Sequence, residues 1–279
     1  MVRLFKAFLF KISKDITFRI TLIIGAAIAI FMTALYFGLQ SLASDEFGGA
    51  SVKFLSGQGM LLSSMSPMQN FGIAIPVNLI TFTCLEFTQG TIRNKIIAGH
   101  SKFKIYASLY LSGLVFTFLL LGTYILICTG LGTIFGGFNL EDMVYTGLLS
   151  GQVNAEHIIK MIVICIFTYV SIVSFTIFFA TLFRNIGPTI PVVIVGLMMC
   201  YLFASIFSVM VVMFEDSEAA LNVLRIIDPL YAISCTETND AGVIVMSNAT
   251  FVAGIANNLV FAIIFFAFGS LIFSKRDVK

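Results

Sequence analysis

Charge is what this sequence has least of. Asp, Glu, Lys and Arg make up 11% of its 279 residues, against about 25% in an ordinary soluble domain. So few charges cannot cover a water-facing surface on a chain of this length. Hydrophobic residues make up 59% and the mean hydropathy is +1.03. A soluble globular protein is excluded. What remains is an all-α integral membrane protein, a single membrane domain over 1–279 with almost no soluble mass.

The motifs of several chemistries are missing as well. There is no GxxxxGK[ST] loop, so the chain does not itself bind ATP in that way, and no HExxH. Gly99-His100-Ser101 begins like a hydrolase elbow, but Lys102-Phe103 follow, so the second glycine of G-x-S-x-G is absent. His100 and His157 stand apart, and two separated histidines do not make a metal site. The five cysteines, Cys84, Cys128, Cys165, Cys200 and Cys235, contain no CxxC pair. Four sit in apolar runs, where a cysteine behaves as a small hydrophobe. Cys235 reads as an unpaired thiol in an outer loop. No cofactor, metal or nucleic acid is expected on this chain, and no catalytic residue.

Six uncharged runs are present, each long enough for the roughly 20 residues that cross a bilayer. They are Ile20–Leu39, Pro67–Leu85 after a Ser/Gly/Met-rich loop, Ile105–Phe135, Met161–Phe183, Asn185–Phe214, and a stretch within Phe251–Phe273. With six spans both termini fall on one side. Thirteen of the sixteen Lys/Arg, and only Asp15, Glu86 and Asp277 of the fourteen acids, fall on that side. By the positive-inside rule it is the cytoplasmic face of a plasma membrane. Its basic charge is concentrated in 1–19 and 86–104.

Within 1–19, Val2, Phe5, Leu9, Ile12, Ile16 and Ile20 recur at helical spacing, with Arg3, Lys6, Lys11 and Lys14 mostly off that stripe. Such a basic amphipathic helix lies in the membrane surface. The interfacial assignment rests on Arg3, Phe5, Lys6, Leu9 and Ile12; a charged flank with accidental periodicity is the alternative. The outer insertion 215–250 opens with acids suited to the first turn of a short helix.

No charged residue lies in the middle of any span, whereas ion-coupled carriers usually place one there. Only amides and hydroxyls are available, among them Asn78, Thr81, Thr83, Thr168, Ser171, Ser174, Asn257 and Asn258, most of them expected to bind helix to helix. Energy must then come from elsewhere, or transport is passive. Gly132 and Gly136 form a GxxxG, for which close packing within the subunit is the expected cause.

The most specific segment runs from Cys84 to Lys104. Gly90 and Gly99 bracket a short surface helix with a capping-type Thr91, on which Ile92, Ile96 and Ile97 share one face and Arg93 and Lys95 point away. The segment resembles the loop between the second and third spans in permeases of the ABC-2 type. These are bacterial half-transporters related to drug, antibiotic-peptide and polysaccharide exporters. The matching positions are Glu86, Gly90, Thr91, Arg93, Asn94, Ile96, Ile97, Gly99, Ser101 and Lys102. The interfacial helix, six spans and a helical insertion between the last two extend the resemblance over nearly the whole chain.

That resemblance implies a coupling helix seated in a groove of a separate ATPase subunit, which holds ATP and Mg. It also implies a second permease subunit, as homodimer or heterodimer, with a path between the two lined by second- and fifth-span residues. Pro76, Pro188 and Pro191 in those spans either bend them locally for packing or let them flex beside such a path. The residues singled out for the path are Asn78, Thr81, Phe82, Val195 and Met199. The function expected is export of hydrophobic or amphipathic cargo, a toxic peptide or drug. The alternative is a passive channel or lipid-handling scaffold with no ATPase partner.

Overall fold

The computed structural model describes residues 7–8, 10, 14, 16–46, 56–67, 74–138, 144–145, 149–150, 155–213, 237–238 and 244–276. Eight helices make up nearly all of them: α1 (Ile16–Glu46), α2 (Gly57–Met65), α3 (Ala74–Thr88), α4 (Thr91–Ile97), α5 (Lys102–Gly136), α6 (Ala155–Phe183), α7 (Ile186–Met213) and α8 (Asn248–Lys275). Two antiparallel pairs of two-residue strands complete the elements: β1 (Val144–Tyr145) with β2 (Leu149–Ser150), and β3 (Glu237–Thr238) with β4 (Ile244–Val245).

Five helices, α1, α5, α6, α7 and α8, are long and apolar enough to cross a membrane. The protein is therefore a multi-pass helical membrane protein. Of the second expected span, residues 68–73 lie outside the described residues. Its described part is the helix α3, with 15 residues and about 22 Å of rise, by itself less than the roughly 30 Å hydrocarbon core. In front of it, part of what the sequence offers as a Ser/Gly/Met-rich loop is the helix α2. Ser56 caps α2 by accepting from the Gly59 N–H at 2.9 Å. The Gly57 and Gln58 N–H groups donate to the carbonyls of Gly137 and Phe138 at the end of α5. Glycines and serines make α2 a poor helix on propensity. Packing overrides that: Gly132 of α5 has no Cβ, which admits Met60 and the Ser56 carbonyl, and Met60, Leu62 and Met65 are buried. The GxxxG glycine thus serves close packing inside the chain, as expected.

α1 packs chiefly on α5. Its buried stripe is Thr21, Gly25, Ala29 and Thr33, small residues four apart, the spacing that lets helix backbones approach closely. Its large residues, Ile23, Ile24, Ile30 and Phe31, are exposed. α7 shows the same division: Thr189, Val193, Leu197 and Tyr201 are buried, while Val192, Val195, Met199 and Ile206 are exposed. Outward-facing apolar surface on this scale suits lipid and not water.

α6 and α8 pack along each other more extensively than any other pair of described helices. Phe175 and Phe178 of α6 meet Phe265 of α8 with ring centroids 5.1 and 5.5 Å apart. Asn258 of α8 donates to Thr168 of α6 at 3.3 Å, and Tyr110 of α5 bonds Ser174 of α6 at 2.9 Å. Of the eight polar residues expected to do this, Asn78, Thr168, Ser174 and Asn258 bind helix to helix, whereas Thr81 bonds within α3 and the Thr83 hydroxyl and Asn257 amide nitrogen are buried without a hydrogen-bond partner among the described residues. Pro188 stands in the first turn of α7, where no intrahelical N–H is lost, and Pro76 in the first described turn of α3. Only Pro191 is interior to α7.

The turn from α6 into α7 is made by Arg184 in the left-handed region, φ 60°. Contacts collect the basic segments at one end of the bundle. Lys102 at the start of α5 donates to the carbonyls of Ser274 and Arg276 at the end of α8, at 3.0 and 3.1 Å. Arg276 donates to the Leu182 carbonyl at the end of α6. At the opposite end, Lys160 of α6 bonds the Met246 carbonyl and Asn248 at 3.0 and 2.8 Å.

Candidate functional site

The elbow between α3 and α4 is built on one buried carboxylate. Glu86, in the last turn of α3, is fully buried. An ionised carboxylate in that position is tolerated only if paired and hydrogen-bonded. The chain provides both within nine residues. Gly90 turns the backbone with φ 68°, a conformation that costs glycine little, and α4 then folds back beside α3. Thr91 Oγ1 comes within 2.6 Å of Glu86 Oε2 and 2.8 Å of the Glu86 carbonyl, one hydroxyl proton serving both. Lys95, one turn later, donates to Oε2 at 3.1 Å.

Lys95 has a second contact. Its Nζ stands 3.3 Å from the centroid of the Phe8 ring, a cation–π geometry. Phe8 is itself buried. One ammonium therefore ties α3, α4 and the segment before α1 together. Gly99, with φ 84°, ends the elbow, and its N–H donates to the Ile96 carbonyl at 2.9 Å.

Two expectations about this segment are corrected. Lys95 does not point away: the carboxylate one turn behind it draws it inward. Thr91 is not a helix cap, since Gly90 holds the N-cap position with no side-chain bond, and the Thr91 hydroxyl is committed to Glu86. The three isoleucines also divide. Ile92 is buried and Ile96 packs on the core, but Ile97 is 74% exposed. Arg93, Asn94, Gly99, His100 and Ser101 are exposed around it. The elbow thus offers an apolar tip ringed by polar and basic groups. Lys95 carried no site assignment from the sequence. The available signal was the i, i+4 spacing of Thr91 and Lys95 behind an acid at the end of an apolar run.

The five path residues are not brought together. Asn78 accepts from Thr21 of α1 at 2.7 Å, and its amide donates to the Ala74 carbonyl. Thr81 donates to the Val77 carbonyl. Phe82 is buried and stacks on Phe116 of α5 at 5.6 Å. Val195 and Met199 lie on the exposed side of α7. A separate cavity of about 40 Å³ lies between α6, α7 and α8, lined by Thr168, Ser171, Phe175, Cys200, Asn258 and Phe265 among others. Arg3, Phe5, Lys6, Leu9 and Ile12 lie outside the described residues, as do 214–236, most of the outer insertion. No cluster of His, Cys, Asp and Glu fit for a metal occurs among the described residues.

No curated protein and no solved structure matches the chain. Over residues 26–279, which include the whole α3–α4 elbow, the sequence matches the family described as "Protein of unknown function (DUF2705)", and the chain belongs to that family.

Proposed function

We propose that this protein is the membrane-spanning permease subunit of an ATP-driven exporter of the ABC-2 type, with α4 as its coupling helix. The supporting observation is the elbow itself: a seven-residue helix fixed to α3 by an ion pair with a buried carboxylate, with Ile97 exposed at its tip. A helix that receives force must be stiff toward its own subunit and accessible toward its partner. Glu86, Thr91 and Lys95 supply the stiffness, and Ile97, Arg93 and Asn94 the accessible surface. Motion imposed on α4 passes through Glu86 directly into α3.

In this reading α2 and α3 together make the sixth crossing, a broken helix that starts beside the end of α5 and finishes at the elbow. Discontinuous spans are common in transporters. Both termini and the elbow face the cytoplasm of the cell membrane. The ATPase subunit holds ATP and Mg, a second permease copy completes the path, and Val195 and Met199 face that copy. Cargo is hydrophobic or amphipathic.

The test is Ile97→Asp. It places a charge in the contact with the ATPase without entering the core of this chain. The variant should fold, insert and yet lose ATPase association and substrate-stimulated ATP turnover. Full turnover with intact assembly would remove α4 from the coupling role.

A further inference from the structure

We propose that the corner formed by the α6–α7 turn, the start of α5 and the end of α8 binds the headgroup of one anionic phospholipid, whose acyl chains lie along α8. The inference requires only that the bundle spans a bilayer, and it stands whether or not the exporter reading does.

The first observation is a convergence of like charge from separate elements. Lys102 comes from α5, Arg184 from the turn, and Lys275 and Arg276 from the end of α8. They are gathered by Lys102 on the carbonyls of Ser274 and Arg276 and by Arg276 on the carbonyl of Leu182. Arg184 lies over the Phe87 ring, 5.7 Å from its centroid. Burial, and then the nearby Arg276 charge, hold the Arg184 pKa below its ordinary value, a shift that leaves arginine charged. Arg276 is exposed and spends one N–H on Leu182, so most of its five donors remain for a further acceptor. Glu86, the described acid at this end, is buried against Lys95. Counting Asp277, which lies outside the described residues, the corner is still strongly positive.

The second observation identifies the partner as a lipid. Ile264, Phe268 and Leu271 are exposed on α8 and share one face with Lys275 by their spacing. That stripe rises about 16 Å over eleven residues. Phe103 and Phe183 add exposed apolar surface beside the corner. A soluble anion or an acidic protein would have no use for an apolar wall that leads into the cations. A phospholipid matches both parts, and basic pockets between membrane helices are where anionic headgroups bind. A zwitterionic choline headgroup would bring its own cation to a positive corner.

The experiment is lipid retention by the purified full chain, read by native mass spectrometry during titration with dioleoylphosphatidylglycerol or dioleoylphosphatidylcholine. The wild type should keep phosphatidylglycerol in preference. Lys275→Gln, at an exposed position in no cap, should weaken that preference about fivefold. Arg184→Gln with Arg276→Gln should abolish it, and Arg93→Gln, on α4, should leave it unchanged. Should the double variant fail to fold, Lys275→Gln alone decides. Equal retention of the two lipids would overturn the proposal. So would an equal loss in Arg93→Gln, which would mean diffuse attraction, or displacement by inorganic phosphate, which would mean a soluble-anion site.

Discussion

Lys95 Nζ lies 3.1 Å from Glu86 Oε2, in a pair whose acid is fully buried while the lysine keeps a partial outlet to solvent. Removing the lysine strands the carboxylate. Lys95→Met is expected to destabilise the fold by about 3 kcal/mol. Adding Glu86→Gln should recover much of that, because no unpaired charge remains. Thermal denaturation in detergent of the wild type, Glu86→Gln, Lys95→Met and the double variant completes the cycle. Additive losses would mean that the pair does not couple α3 to α4.

The two neighbouring isoleucines should respond in opposite ways. Ile96→Asp puts a charge where the side chain packs on the core and should lower thermal stability. Ile97→Asp changes an exposed side chain and should stay within about 0.5 kcal/mol of wild type. Equal destabilisation of the two would mean that the outward face of α4 has been misassigned.

Gly269 of α8 is a point of close approach. A Cβ there would run into the hydroxyl and ring of Tyr106, and that ring is itself held by Phe266 and Phe273 with centroids 5.4 and 5.8 Å away. The ring has no room to retreat. Gly269→Ala should cost about 1–3 kcal/mol through overpacking, whereas Gly122→Ala, with open space at its Cβ, should cost nothing measurable. A melting-temperature comparison of the two decides it.

Much of the architecture was legible because bilayer length and charge asymmetry are properties of whole segments. Five spans lie where uncharged runs of sufficient length occur, and Gly90 and Gly99 do bracket a short helix. What escaped the sequence depends on partners distant along the chain. α2 packs where Gly132 of α5 leaves room for Met60. The inward turn of Lys95 needs Glu86 below it and Phe8 above it, and a helical wheel of 91–99 contains neither. The small-residue stripe from Thr21 to Thr33 was readable by spacing but was hidden by the larger isoleucines between its members. Asn78 and Phe82 carry the right chemistry to line a path, yet Thr21 and Phe116 occupy them.

Topology can be read by labelling. In a Cys-free background, Ser217→Cys should react with an impermeant maleimide in intact cells and Ser101→Cys should not. The reverse pattern would place the elbow outside and end the coupling proposal. Met199→Trp gives a further reading of α7. Because Met199 is 52% exposed, the substitution should leave stability nearly unchanged while obstructing transport if a second subunit covers this face.

The central claim is that this chain works through a separate ATPase, and co-purification tests it most directly. The tagged full chain would be isolated from its native membrane in mild detergent, its companions identified by mass spectrometry, and ATP turnover measured. The account predicts a stoichiometric subunit carrying GxxxxGK[ST], with turnover, retained by the wild type and lost from Ile97→Asp. A wild-type preparation with no such subunit, or an Ile97→Asp preparation that keeps it at full activity, would contradict the account.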